Sequence, residues 1–148
     1  MIISIFIMPD ILHQFNIKAS TQEVFDAFCT PTRLDNWWTA RSAGQPKKGE
    51  VYTFWFGPEY DWRAQVMSVV SGKELTWKLT QAMPDWMNTK VGFILSPEKE
   101  GTKVSFYHRD WVEPNEHFAI SNFCWASLLN GLKQYVEKGI VVPFEQRQ

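Results

Sequence analysis

The chain has 148 residues and a mass of 17.3 kDa, about one domain's worth of polypeptide, and by surface scaling such a chain buries roughly 69% of its unfolded surface, enough for a single core. Hydrophobic residues at 45% and charged residues at 21% exclude a disordered tail protein, and two cysteines, Cys29 and Cys124, are too few for a disulfide-stapled miniprotein. Fifteen Lys and Arg against sixteen Asp and Glu leave a formal charge of −1, with no basic run longer than Lys47 and Lys48, so the concentrated positive face of a nucleic-acid binder is missing.

Residues 2–8 are apolar except for Ser4. They are too few to span a bilayer, which takes about 20 residues, and no Lys or Arg precedes Lys18 to make the basic flank of a secretory signal. The expectation is a cytoplasmic protein whose residues 1–10 are an extension, serving as an edge strand that pairs two chains or preceding a translation start at Met8 rather than Met1. From Ile11 to Lys18 the pattern alternates with period two, placing Ile11, His13, Phe15 and Ile17 on the buried face of a strand. Ser20 and Glu23 then form a capping box ahead of Val24, Phe25 and Phe28, which predicts a short helix. Thr30 and Pro31 end it and start a second helix, with Leu34, Trp37 and Trp38 as its apolar stripe.

Residues 44–49 read as polar loop, and residues 51–56 as a strand so apolar that either parity fits the interior. Gly57 and Pro58 turn the chain into a strand over residues 62–70, with Ala64 and Val66 on one face, and Ser71, Gly72 and Lys73 close a hairpin. Leu75, Trp77 and Leu79 mark the next strand, Val91, Phe93 and Leu95 another, and Thr102, Val104, Phe106 and His108 the last. Pro114 and Asn115 introduce a helix from about Glu116 to Lys138, capped by Gly139 and about 34 Å long, enough to cross a sheet of five or six strands. Gly131 inside it costs about 1 kcal/mol relative to Ala, which points to a close backbone approach. The pair Asp-Trp recurs at Asp61, Asp85 and Asp110, but its spacing is shorter than the 40 to 45 or so residues of a propeller blade and its flanks differ. The domain therefore runs over 11–139, with 140–148 as a C-terminal tail.

This order, with the motifs Ile17-Lys18-Ala19-Ser20, Pro31 through Trp37-Trp38, Leu75-Thr76-Trp77, Gly101-Thr102-Lys103-Val104 with His108, and Trp125 to Leu132, resembles the START-like or SRPBCC superfamily, and within it the AHSA1-like family of Hsp90 ATPase activator homologues. The resemblance runs from about Ile11 to Gly139. It implies an α+β helix-grip fold, β-α-α-β(meander)-α, in which a curved antiparallel sheet wraps around a long C-terminal helix. The animal and fungal chaperone activators of the family carry a further N-terminal domain that contacts Hsp90, and this sequence has no stretch long enough to be one.

A curved sheet and one helix enclose more volume than the helix fills. Aromatic residues are 16% of the chain, eight of them Trp, so the rings either fill that space or line a cavity in it. The cavity reading nominates Trp37, Trp38, Ala64, Val66, Trp77, Val91, Phe93, Phe106, His108, Phe118, Asn122, Trp125 and Leu129 as ligand contacts. Ser121 and Asn122 would set a hydroxyl and an amide at its mouth, and Asp61 and Arg63 a polar gate.

His108, on the inward face of its strand, reads first as a satisfied core histidine, with a polar anchor or a general base as the functional alternatives. No metal site is expected, since no two histidines take a helical i, i+4 spacing, and no motif calls for a cofactor. Cys29 and Cys124 read as packing residues, and no nucleophile elbow is present. The leading expectation is a non-catalytic module that holds a small apolar or amphipathic molecule between sheet and helix, as monomer or homodimer. Its alternatives are an enzyme of the polyketide cyclase or aromatase kind using His108, and a chaperone partner acting through its outer surface.

Overall fold

The computed structural model describes residues 8–147. Residues 2–7, on which the edge-pairing expectation and the choice of start rest, lie outside them. The elements follow the chain as β1 (Ile11–Ile17), α1 (Thr21–Cys29), α2 (Pro31–Leu34), β2 (Arg41–Ala43), β3 (Val51–Trp55), β4 (Asp61–Val70), β5 (Glu74–Gln81), β6 (Lys90–Glu98), β7 (Gly101–Arg109) and α3 (Glu116–Lys138). They form an α+β helix-grip fold, with one antiparallel sheet of seven strands in the order β1-β7-β6-β5-β4-β3-β2.

Local chemistry sets the boundaries. The Ser20 hydroxyl accepts from the Glu23 amide at 3.2 Å and opens α1, while the Asn115 side chain accepts from the Phe118 amide at 2.9 Å and opens α3. Gly139 ends α3 in the left-handed conformation, φ 68°. The helix α2 is shorter than expected, since the chain leaves helical geometry after Leu34 and carries Trp37 and Trp38 on a turn. That turn is held inward by the Trp37 indole, whose Nε1 donates to the Ala27 carbonyl at 2.9 Å.

The long hairpins of the meander present alternate side chains to the core. Leu75, Trp77 and Leu79 of β5, Val91, Phe93 and Leu95 of β6, and Thr102, Val104, Phe106 and His108 of β7 are all buried. β1 then joins β7 at the edge, Ile11 opposite His108 and Ile17 opposite Thr102. In β3 it is Tyr52 and Phe54 that turn inward and Val51 that stays exposed. The Tyr52 hydroxyl donates to the Cys29 carbonyl at 2.7 Å, so its polar atom is satisfied in the core. On α3, Ser121, Trp125, Leu129 and Leu132 form the buried stripe. Among the described residues no helix is long and apolar enough to cross a membrane.

Candidate functional site

Most of the residues nominated from sequence converge between sheet and helix, and there they pack on one another. Phe28 stacks on Phe93 with ring centroids 4.0 Å apart, Trp125 lies 4.6 Å from Phe106 and 5.1 Å from Trp38, and Trp77 meets Phe54 edge-on at 5.4 Å. Ala64, Val66, Val91 and Leu129 are buried in the same core cluster as these rings. Phe118 is half-buried against Trp111, centroids 5.2 Å apart. Asn122 is exposed on α3. Ser121 is buried, but its hydroxyl accepts from Trp86 Nε1 at 3.2 Å. Asp61 and Arg63 pair at 3.0 Å, each 42% exposed, a surface contact of little energetic weight.

His108 is fully buried and both ring nitrogens are committed. Trp125 Nε1 can only donate, and it donates to His108 Nδ1 at 3.1 Å. Thr89 Oγ1 donates to the Trp86 carbonyl at 2.6 Å, so at 2.8 Å from His108 Nε2 it must accept the imidazole N–H. The ring is thus the neutral Nε2–H tautomer. A proton on Nδ1 would face the indole N–H, and burial, with His117 nearby as the smaller cause, lowers the His108 pKa to about 3. A base held this way has no lone pair to offer a substrate. Cys29 is likewise inert, since burial first and Asp26 second push its thiol up, away from the reactive thiolate.

The three Asp-Trp pairs meet at one end of the sheet. Trp62 lies 4.8 Å and Trp111 6.4 Å from Trp86, and Trp86 and Trp111 flank His108 at 4.5 and 4.9 Å. Each of the three carboxylates has a partner: Asp61 pairs with Arg63 and Asp110 with Lys90, while Asp85 Oδ2 lies 2.9 Å from His117 Nδ1. Trp62, Trp86 and Trp111 were not among the nominated residues. Their signal was the spacing of the pairs, which is that of two strands with their turns and so returns to the same end of a meander.

Two clefts flank α3. One, of about 170 Å³, lies against β1 and is bordered by His13, Phe15, Ala126, Leu129, Asn130 and Lys133. His13 Nε2 is buried without a hydrogen-bond partner beside it. The other, of about 200 Å³, lies between α3 and the tail as it runs back past the end of α2. Trp37, Leu128, Ile140 and Val142 give it apolar walls, and Asn130, Gln134 and Arg147 give it polar ones. The tail is fastened by Arg147, which donates through Nε to the Val142 carbonyl at 2.8 Å and through Nη1 to the Thr39 carbonyl at 3.1 Å. Gly131 also borders this cleft, and a Cβ built there has nothing within 4 Å. The close backbone approach expected at Gly131 is therefore absent; the missing side chain leaves the cleft open.

Comparisons with known proteins agree with this architecture. The family model described as Activator of Hsp90 ATPase homolog 1-like protein matches residues 18–137. The Aha1 dimer from Colwellia psychrerythraea, a solution structure, is 32% identical, with 89% of this chain and 98% of that chain covered and a TM-score of 0.81. At 18% identity, SSP2350 from Staphylococcus saprophyticus shares the fold over 90% of this chain and 96% of its own, TM-score 0.77. CalU16 from Micromonospora echinospora, 17% identical, shares it over 89% of this chain and 78% of its own, TM-score 0.71. No curated protein matches. With the model spanning α1 to the last turn of α3, the chain belongs to the family of Activator of Hsp90 ATPase homolog 1-like proteins.

Proposed function

We propose that the protein is a non-catalytic binding module that takes a small amphipathic molecule against α3, in the cleft beneath the returning tail. The observation that carries this reading is Gly131: a helix-interior glycine costs about 1 kcal/mol relative to Ala, no neighbour crowds the position, and the vacant side-chain space opens into the cleft. An apolar wall with a few polar groups is the usual lining of a ligand site. The ring packing between sheet and helix and the closed hydrogen-bond circuit of His108 support binding over cyclase-like catalysis. The unpaired Cys29 and Cys124 support a cytoplasmic setting.

A panel of fatty acids, sterols and small aromatic compounds tests it. A ligand at 100 times its Kd adds about 2.7 kcal/mol of stability and so raises Tm, and emission changes with it because Trp37 borders the cleft. Gly131→Leu fills the space and abolishes both responses. A flat response across the panel ends the reading.

The family supplies a second reading, a partner of an Hsp90-type chaperone that works through the outside of the fold. Ile120 and Phe123, 52% and 73% exposed and three residues apart on the outer side of α3, favour it. Stimulation of ATP hydrolysis by the host's chaperone, lost in Phe123→Ser, is the expected result; no stimulation dismisses it. The Colwellia relative is described as a dimer, and a homodimer of this chain would sediment at about twice 17.3 kDa.

A further inference from the structure

We infer that the ligand of the tail cleft carries a carboxylate on a single flat ring, and that Arg147 receives the carboxylate. The inference rests on the binding reading above and adds the chemical class. Of the five guanidinium N–H donors, the structure uses Nε on Val142 and Nη1 on Thr39, both backbone carbonyls. No carboxylate pairs with Arg147 within 4.0 Å among the described residues.

The acidic groups that act on Arg147 are Asp35 and Glu145. Asp35 Oδ1 is already engaged, accepting from Thr39 Oγ1 at 2.7 Å and Ser42 Oγ at 2.8 Å. Burial is the larger influence and disfavours the charged guanidinium more than these acids favour it. With no carboxylate within 4.0 Å of it among the described residues, this half-buried cation is stabilised by an anion, and the planar fork suits a carboxylate.

The size and walls set the rest of the molecule. A closed apolar cavity of about 150 Å³ accommodates benzene, so about 200 Å³ holds one ring with a small substituent. Trp37 Nε1 is turned away to the Ala27 carbonyl, leaving the indole surface as an apolar wall alongside Val142 and Ile140. Asn130 and Gln134 are placed to accept or donate to ring hydroxyls.

The test uses the full chain, isotope-labelled, titrated with benzoate and in parallel with benzamide, its neutral isostere. Benzoate should shift the amides of residues 127–134 and 140–147 and the Arg147 Nε–H saturably, with at least tenfold tighter binding than benzamide. In R147Q that preference disappears. Since Arg147 also fastens the tail, G131L serves as the second variant: it keeps the guanidinium and its anchors and loses both ligands. Equal affinity for benzoate and benzamide, or benzoate shifts that map away from the cleft, overturns the carboxylate while leaving the binding module standing on its panel. A cleft silent to both probes and to the whole panel ends both.

Discussion

Protonation of His108 offers a quantitative handle on the interior. In the fold its pKa is about 3, while an unfolded histidine titrates near 6.5. Between those values the unfolded chain binds a proton that the folded chain refuses, so stability rises with pH across that window and falls as pH drops through it. Going from pH 7 to pH 5, this one group should remove about 2 kcal/mol, a sizeable part of the 5–15 kcal/mol that holds a typical domain together. Urea unfolding followed by Trp emission at pH 7, 6 and 5 reads the loss. His108→Phe supplies the control: it leaves Trp125 Nε1 without its acceptor and lowers stability by about 1–3 kcal/mol at pH 7, but it removes the titration. His13 and His117 remain in both proteins, so the difference between the two pH dependences belongs to His108. If wild type and variant lose stability in parallel from pH 7 to 5, the ring accepts a proton while folded. The tautomer assignment then falls, and a catalytic His108 returns.

Other substitutions test single features. Gly131→Ala should raise stability by about 1 kcal/mol, because the new methyl meets nothing; an unchanged or lower urea midpoint would mean that the position is crowded after all. His13→Phe keeps a ring of similar shape and removes the unpartnered Nε2, with an expected gain of about 1 kcal/mol, and a loss in calorimetry would reveal a hydrogen bond made through water. Gly92→Ala should cost about 1–3 kcal/mol, since its Cβ would lie 2.6 Å from the Leu75 carbonyl oxygen, a backbone atom of the neighbouring strand, and against the Tyr107 hydroxyl. A wild-type Tm for that variant would show that β5 and β6 can part without penalty.

Where one face of an element is apolar and the other polar, the sequence reads correctly. Thr102, Val104, Phe106 and His108 point inward as their alternation requires, and α3 begins and ends at Glu116 and Lys138 as its caps require. β3 was ambiguous because both of its parities are apolar; burying Tyr52 there needed an acceptor, Cys29, from a different part of the chain. β2 is three residues long, too short for a pattern, and Trp37 and Trp38 mimic a helical stripe while sitting on a turn. Ring packing between sheet and helix is equally invisible, since the same aromatic positions serve a lined cavity and a filled one. The tail cleft depends on Arg147 reaching Thr39, 108 residues earlier. No local signal encodes a contact of that span, although Gly131 inside a helix was the one irregularity that marked the spot.

The edge position of β1 has a kinetic consequence. Strands β3 to β7 join through successive neighbours and can zip by short hairpins, whereas β1 must find β7 across most of the chain, its Gln14 reaching Ser105 91 residues away. Closing so wide a loop is slow. On the ribosome β1 emerges well before its partner, so its exposed Leu12 and unpaired backbone wait until β7 has been made. That interval, rather than the finished molecule, is when the chain is most open to aggregation and to capture by a holdase.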